Sequence, residues 1–271
     1  MYSLKISPEK LANMIDHTNL KPFATKKDIR KLCEEALKNN FAAVCVNSEH
    51  ISFCTEMLKK SEVEIAAVVG FPLGASTSKT KEAETQEAVG FGAHEIDMVM
   101  DIGSFREGNY FAVGKDIGKV VQAADGAIVK VILETGFLTD EQITKASEIS
   151  KNSGAHYVKT STGFGPMGAF IDHIALMRQA VGKDLGVKAA GGIRTARTAV
   201  RLINASADRL GASAGVAIVN QLKKIIDEGG WFYSSEDRPE DIYSWGAADP
   251  KKQPKDVYDF YIKKKKEFIK R

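Results

Sequence analysis

Short apolar segments rich in valine and isoleucine alternate with longer amphipathic segments along roughly the first 225 residues of the chain. Short apolar runs of this kind are typical of buried strands, and the amphipathic segments between them have the spacing of helices. The pattern predicts eight strands, at residues 14–18, 42–47, 65–71, 95–102, 127–135, 156–162, 186–192 and 208–213.

The segment between the first two strands, TKKDIRKLCEEALKNNF, predicts how the strands are connected. Thr25 and Asp28 have the spacing of a helix capping box. A stripe of apolar residues at helical spacing follows, formed by Ile29, Leu32, Cys33, Ala36 and Leu37. We interpret this segment as a crossover helix between parallel strands.

Eight strand–helix units in a chain of this length favour a (β/α)8 TIM barrel over an open, doubly wound α/β sheet. The G-x-G-x-x-G fingerprint of a dinucleotide-binding sheet does not follow an early strand. We therefore predict an α/β protein with a catalytic barrel at residues 1–228 and a C-terminal extension at residues 229–271.

The extension contains aromatic residues, turn residues and the lysine run Lys263–Lys266 rather than a ninth repeat. Val257, Phe260, Tyr261 and Phe268 could line one helical face, so we expect a helix that packs on the barrel or at a subunit interface. A solvated basic helix is a simpler interpretation of this charge than nucleic-acid or membrane binding.

Composition narrows the class of protein. The chain has 271 residues, of which 44% are hydrophobic and 27% charged, values typical of a soluble globular protein. The formal net charge of +3 comes from the tail, where nine basic and three acidic residues follow position 250. No segment approaches the roughly 18 apolar residues of a membrane span, and no signal peptide begins the chain, so we expect a cytoplasmic protein.

Strand parity indicates which side chains face the barrel interior, because alternate residues of a strand point to opposite sides. In EIDMVMDI, the apolar Ile96 and Met98 suit the helix-facing side, which leaves Glu95, Asp97 and Asp101 on the interior side. A buried carboxylate requires a cationic or hydrogen-bonding partner. We expect lysines to supply it.

Lys159 in the sixth strand and Lys188 in the seventh are candidates, since neighbouring strands lie about 4.8 Å apart. Two inward lysines would disfavour each other's protonation, so at least one should have a depressed pKa, as an amine nucleophile requires. The alternative is that both are structural partners of Asp16, Asp97 and Glu134. Lys130, nearer the start of its strand, is expected to be structural.

Glycines follow the last two predicted strands in AAGGIRT and LGASAG, where barrels often bind phosphate through backbone N–H groups. Ser213 adds a hydroxyl at the start of the last helix, and Gly163–Gly165 extends the same rim. Together these glycines predict a phosphorylated small-molecule substrate.

Other chemistries have less support in the sequence. The five histidines lack metal-binding spacing, and His94 and His156 are expected to be structural. Cys45 could be a thiol nucleophile, but a small buried side chain is the simpler interpretation. The three cysteines include no C-x-x-C pair, which argues against a disulfide framework or a structural zinc site.

Seven segments resemble those of a known family: IDHTNLKP, VCVN, VVGFPLGA, EIDMVMDIG, KVILETG, YVKTSTGFG and GVKAAGGIRT. In this order they resemble the deoxyribose-phosphate aldolase family, class I lyases that interconvert 2-deoxyribose 5-phosphate with glyceraldehyde 3-phosphate and acetaldehyde. The resemblance runs from about Leu11 to about Leu222. It implies a TIM barrel with no metal and no organic cofactor.

The resemblance also implies roles for individual residues. Lys159 would be the Schiff-base nucleophile, Lys188 would perturb it and relay protons, and Asp97 would be the proton-relay aspartate. The phosphate would be bound by Gly163, Gly191, Gly192, Gly211 and Ser213. We count Asp16, Cys45 and Lys130 as supporting candidates, and we expect a homodimer or a higher homo-oligomer.

Two alternatives remain open from the residues themselves. The barrel could be a Schiff-base aldolase for another phosphorylated sugar or a keto acid. It could also be a non-catalytic barrel that binds phosphosugars, in which case Lys159 would be an ordinary protonated lysine.

Overall fold

The strands of the computed structural model, which describes residues 6–229, form a closed parallel barrel in which each strand pairs with the next and β8 pairs with β1. This confirms the predicted (β/α)8 TIM barrel. The strands are β1 (Ile15–Asn19), β2 (Ala43–Val46), β3 (Glu64–Val69), β4 (Glu95–Val99), β5 (Ile128–Ile132), β6 (Tyr157–Lys159), β7 (Gly186–Ala190) and β8 (Arg209–Ala212).

One short α-helix precedes β1, and the other α-helices follow strands and surround the barrel. Within residues 6–229 they are α1 (Pro8–Ala12), α2 (Lys26–Asn39), α3 (Ile51–Leu58), α4 (Ser78–Gly90), α5 (Ile102–Arg106), α6 (Tyr110–Ala123), α7 (Asp140–Asn152), α8 (Ile171–Val181), α9 (Ala196–Asn204) and α10 (Gly215–Asp227). The predicted capping box of Thr25 and Asp28 is present at the start of α2. Four residues of the predicted stripe are buried, whereas Leu37 is 37% exposed.

The main hydrophobic core lies between the strands and the helices. Alternate residues of each strand point toward it. On β4, Ile96 and Met98 belong to this core, while Glu95 and Asp97 are buried in contact with polar groups from other strands. Alternate residues of β4 therefore contribute to the apolar layer and to the polar interior.

Several predicted strands end earlier in the structure than in the sequence pattern. β6 stops at Lys159 because the Thr160 hydroxyl donates to the Ala190 carbonyl and accepts from the Ala190 N–H, both at 3.0 Å, in place of a backbone ladder. β4 stops at Val99, and the Asp101 side chain instead accepts the Ser104 N–H at the start of α5. Asp101 is therefore a helix cap, and its predicted interior position is wrong.

The predicted extension at residues 229–271 lies outside the described residues apart from Gly229. No helix between residues 6 and 229 combines the length and the apolar character that a membrane span needs.

Candidate active site

Three lysines and one aspartate from four strands meet inside the barrel. Asp97 Oδ2 lies 2.6 Å from Lys159 Nζ and 2.7 Å from Lys188 Nζ, and Asp97 Oδ1 lies 2.8 Å from Lys130 Nζ. The register of the barrel creates this meeting, since Lys159 pairs with Lys188 across β6 and β7, and Asp97 pairs with Lys130 across β4 and β5. One carboxylate oxygen is thus shared by the two lysines that the sequence singled out.

A second group of charges surrounds Asp16. Its Oδ2 atom accepts from Lys188 Nζ and lies 3.3 Å from Lys130 Nζ, while its Oδ1 atom accepts from Arg209. Arg209 also lies 3.2 Å from Glu95, which contacts Lys130. Asp16 therefore links Lys188 to a cluster of cations and carboxylates that fills the barrel interior.

Sequence reasoning missed Arg209 as a member of this cluster. The signal was present, because Arg209 is the first residue of β8 and has the same parity as Gly211, which was expected to face the site. Its register partner on β7 is Lys188.

The ionisation of the two aspartates follows from their neighbours. Burial alone would raise the pKa of Asp97, but neighbouring ammonium groups, that of Lys130 above all, hold it well below its usual range. Burial acts in the same direction on Asp16, and Lys130, Lys188 and Arg209 likewise lower its pKa. Both carboxylates are therefore charged at neutral pH.

The Lys188 amine does not behave as expected from lysine–lysine repulsion. Burial disfavours its charged form, but the carboxylates of Asp16 and Asp97 outweigh that effect and raise its pKa. Lys130 behaves in the same way, since Asp16, Asp97 and Glu95 raise its pKa well above the usual value despite burial. The expectation was a depressed pKa for at least one of Lys159 and Lys188, and Lys188 is not that lysine, because it is a charged ammonium.

The structural alternative expected ion pairs of the lysines with Asp16, Asp97 and Glu134, and the structure contains those with Asp16 and Asp97. Lys130 is fully buried and ion-paired, as expected for a structural lysine. Asp16 and Asp97 are partners of lysines, whereas Glu134 contacts Thr162 instead.

Cys45 and two histidines occupy the structural positions that the sequence predicted. Cys45 packs with Leu20, Ala66 and Val68, and burial raises the pKa of its thiol. His94 Nδ1 and His156 Nδ1 each accept a backbone N–H from the start of the preceding strand. These residues position strands, and Cys45 is a thiol rather than a thiolate nucleophile.

An open cleft of about 240 Å³ lies at the carboxyl ends of the strands. Of the three interior lysines, Lys159 is the one that lines it. All five predicted phosphate-binding residues line it as well: Gly163, Gly191, Gly192, Gly211 and Ser213.

The glycines allow two loops to pack closely beside Lys159. Gly191 has a φ of +90°, and a Cβ on Gly168 would lie 2.2 Å from the Gly191 carbonyl oxygen. The Ala169 N–H donates to the same carbonyl at 3.0 Å. Side chains at Gly168 or Gly191 would therefore separate the loops that follow β6 and β7.

The cleft also contains residues that the sequence reasoning did not select. Lys21 and Arg194 bring positive charge to its lining, and Thr18 and Asn19 add polar groups from the end of β1. Next to Ser213, α10 begins without a side-chain cap on its first-turn N–H groups. Cationic side chains and free helix N–H groups favour an anionic ligand.

Residues 6–229 hold no group of three or more histidine, cysteine, aspartate or glutamate side chains arranged to bind a metal ion. The expectation that the reaction requires no metal or organic cofactor stays a prediction.

The chain is similar in sequence to known aldolases. A profile described as DeoC/LacD family aldolase matches residues 10–221. The deoxyribose-phosphate aldolase of Caldanaerobacter subterraneus subsp. tengcongensis is 54% identical over 217 residues, which cover 79% of this chain and 94% of the relative.

Solved structures agree with the sequence matches. A putative deoxyribose-phosphate aldolase from Coccidioides immitis superimposes with a TM-score of 0.79 at 41% identity, covering 82% of this chain and 88% of the other. The deoxyribose phosphate aldolase from Aeropyrum pernix, described as a unique tetramer, gives a TM-score of 0.76 at 34% identity, covering 81% and 93%. With the barrel and the lysine-lined cleft, these matches establish that the chain belongs to the DeoC/LacD family of aldolases.

Proposed function

We propose that this chain is a deoxyribose-phosphate aldolase. It would reversibly cleave 2-deoxy-D-ribose 5-phosphate to D-glyceraldehyde 3-phosphate and acetaldehyde through a Schiff base on Lys159. The observation that carries the proposal is that Lys159 lines the cleft while its Nζ atom lies 2.6 Å from Asp97 Oδ2. The names of relatives that match most of the chain support the substrate.

The interior cluster contains one more basic side chain than carboxylates, and Schiff-base chemistry requires one neutral amine. Four basic side chains (Lys130, Lys159, Lys188 and Arg209) face three carboxylates (Asp16, Glu95 and Asp97). An uncompensated buried charge is unfavourable, so the cluster is balanced when one amine is neutral. Among the described residues Lys159 pairs with a single carboxylate, and charged Lys188 shares that carboxylate.

In the forward reaction, neutral Lys159 Nζ attacks the aldehyde carbon of the open-chain sugar to form a carbinolamine. A proton from Lys188 then lets the carbinolamine lose water, which leaves a protonated imine. A base then takes the proton of the C3 hydroxyl, the C2–C3 bond breaks, and its electron pair moves into the imine. Glyceraldehyde 3-phosphate leaves and the enamine of acetaldehyde remains on Lys159. Protonation at C2 and hydrolysis release acetaldehyde and the free amine.

Asp97 and Lys188 are suited to the proton transfers of this sequence. Asp97 Oδ2 accepts from both amines, at 2.6 Å and 2.7 Å, so a proton can pass between Lys159 and Lys188 through a single oxygen. Charged Lys188 can donate a proton, and its contact with Asp16 ties it to the remaining cluster.

The phosphate of the substrate would lie at the side of the cleft formed by Gly163, Gly191, Gly192, Gly211 and Ser213. The uncapped start of α10 beside Ser213 supports this location, as do Lys21 and Arg194 in the same lining.

We also propose that the enzyme is a homo-oligomer of the cytoplasm. The tetramer named for the Aeropyrum pernix relative supports oligomerisation. The three cysteines are free thiols, which agrees with a reducing compartment. The division into a catalytic barrel at residues 1–228 and an extension at residues 229–271 remains part of the same proposal.

Borohydride trapping tests the central step. The protein is incubated with 2-deoxyribose 5-phosphate or acetaldehyde, reduced, digested and analysed by peptide mass mapping. A single adduct on Lys159 is expected. An adduct on Lys188 or Lys130 would keep the reaction class but overturn the assignment of the nucleophile, and no adduct during measured turnover would overturn Schiff-base chemistry.

A further inference from the structure

Glu134 is a buried carboxylate beside the cleft that the proposed mechanism does not use. It follows β5 at the carboxyl end of the barrel and is 1% exposed. Its backbone is left-handed, with a φ of 52°, a conformation that is strained for a residue with a long side chain. A strained and buried glutamate at this end of the barrel suggests a specific task.

The Glu134 side chain forms hydrogen bonds with the loop that follows β6. Glu134 Oε2 accepts the Thr162 N–H at 3.1 Å and also accepts the Thr162 hydroxyl. The Thr162 hydroxyl oxygen in turn accepts the Phe164 N–H at 3.0 Å. The carboxylate thus holds Thr162 directly, and it holds the Phe164 N–H through the Thr162 hydroxyl.

Gly165 closes the loop over the same carboxylate. A Cβ at this position would lie 2.6 Å from Glu134 Cδ, so only glycine allows the backbone to approach so closely. Within residues 6–229 the second oxygen, Oε1, has no hydrogen-bond partner. Burial raises the pKa of the Glu134 carboxyl, and the hydrogen bonds from Thr162 only partly offset this.

The loop that Glu134 holds is a wall of the cleft. Thr162, Gly163 and Phe164 line it, and the loop begins three residues after Lys159. Phe164 also packs edge-on against Phe71, at 5.4 Å between ring centroids, from the loop after β3. The position of this wall relative to the Lys159 amine therefore depends on the Glu134–Thr162 contact.

We propose that Glu134 is a positioning residue that sets substrate affinity by fixing residues 162–165 as one wall of the cleft. It acts through Thr162 and takes no part in bond making or breaking. This inference rests on the proposed function for its effect on substrate, but the hydrogen bonds themselves can be tested without any substrate.

The test uses the full chain with the variants Glu134→Ala, Glu134→Gln and Thr162→Val. The control is Thr85→Val, since Thr85 is also a buried threonine, its hydroxyl donates to the Lys81 carbonyl within α4, and it lies outside the cleft lining. The first measurement is amide hydrogen exchange without substrate, resolved at Thr162 and Phe164. The second is KM and kcat for 2-deoxyribose 5-phosphate.

The variants should differ in a defined pattern. Glu134→Ala should speed exchange at both amides by about tenfold, whereas Thr162→Val should do so at Phe164 and leave the Thr162 N–H bonded to Glu134. In both, KM should rise about five- to tenfold with kcat changed by less than about twofold, the loss expected for one or two hydrogen bonds. Glu134→Gln keeps an acceptor and should restore both values, and Thr85→Val should change neither.

Unchanged protection of both amides in Glu134→Ala would overturn the proposal. A fall in kcat in both Glu134→Ala and Glu134→Gln, at unchanged KM, would also overturn it, because the carboxyl would then act in the chemistry. If the unaltered protein cleaves no deoxyribose phosphate, the proposed function fails, while hydrogen exchange still decides whether Glu134 fixes the loop.

Discussion

Two buried lysine–aspartate pairs in this protein have the same geometry and different surroundings. Lys81 Nζ lies 2.6 Å from Asp116 Oδ2, and Lys159 Nζ lies 2.6 Å from Asp97 Oδ2. All four residues are at most 3% exposed. Distance and burial therefore do not distinguish a structural pair from a candidate catalytic pair.

The remaining contacts of each lysine make the difference. Lys81 joins α4 to α6, donates to the Val99 carbonyl at 2.9 Å and is not among the residues that line the cleft. Lys159 lines the cleft and shares its aspartate with two other lysines. A lysine can act as a nucleophile where the substrate reaches it and where neighbouring charges favour its neutral form.

The largest contrast is expected when each lysine is removed. Lys159→Ala should lower kcat by at least about 10³-fold, because Lys159 is, within residues 6–229, the one lysine that both contacts Asp97 and lines the cleft. Lys81→Met should leave the kcat of folded enzyme nearly unchanged but reduce the free energy of unfolding by about 3–5 kcal/mol, since it leaves Asp116 buried without its cation. Steady-state kinetics and urea unfolding of both variants measure this difference. Equal losses of kcat in the two variants would contradict the distinction between a catalytic and a structural lysine.

Removing the two aspartate charges should give a smaller contrast in the same direction. Asp97→Asn should reduce kcat by about 10²- to 10⁴-fold, the usual contribution of a positioned proton-transfer group. Asp116→Asn should act on stability, with kcat of the folded fraction within about twofold of the unaltered enzyme. A low kcat in Asp116→Asn, at full folding by circular dichroism, would show that the outer pair also supports the reaction.

Acid unfolding should reveal the charge cluster around Asp97. Because the folded-state pKa values of Asp97 and Asp16 are lowered, their stabilisation is present above about pH 4, the ordinary aspartate value, and is lost as the pH falls through the folded values. Lys130 and Lys188 have raised folded-state pKa values, so their contribution is present below about pH 10 and is lost as the pH rises through those values.

Urea midpoints between pH 2 and 5 test the acid side. The unaltered protein should lose stability steeply with falling pH, and Asp97→Asn should show a shallower slope. Asp184→Asn is the control, because Lys151 lowers the pKa of Asp184 at the exposed surface, where solvent screens the pair. Equal slopes in the unaltered protein and Asp97→Asn would contradict the assignment.

The smallest effect is expected at the predicted phosphate site. Ser213→Ala should raise KM for the phosphorylated sugar about threefold to tenfold at nearly constant kcat, the loss expected for one hydrogen bond to a charged group. Non-phosphorylated 2-deoxyribose should be unaffected. Ser61→Ala, in the turn after α3, serves as the matched control. A KM for the phosphorylated sugar that stays constant in Ser213→Ala would remove Ser213 from the site.

Several features of the site could be predicted because they depend on local periodicity. Parity along EIDMVMDI correctly separated Glu95 and Asp97 from Ile96 and Met98. The same rule failed at Asp101, where the strand had already ended and a helix cap replaced it. Strand ends are decided by competing hydrogen bonds such as those of Thr160, and these are not visible in the apolar pattern.

The sequence alone determined the number of strand–helix repeats, the side of each strand that is apolar, and the presence of inward lysines and rim glycines. These follow from short-range periodicity and turn chemistry. Only the tertiary structure decided that Asp97 is shared by three lysines, that Arg209 and Asp16 join the cluster, and that the pKa of Lys188 is raised. Such contacts join residues 33 to 193 positions apart, and ionisation depends on distances that exist only once the barrel closes.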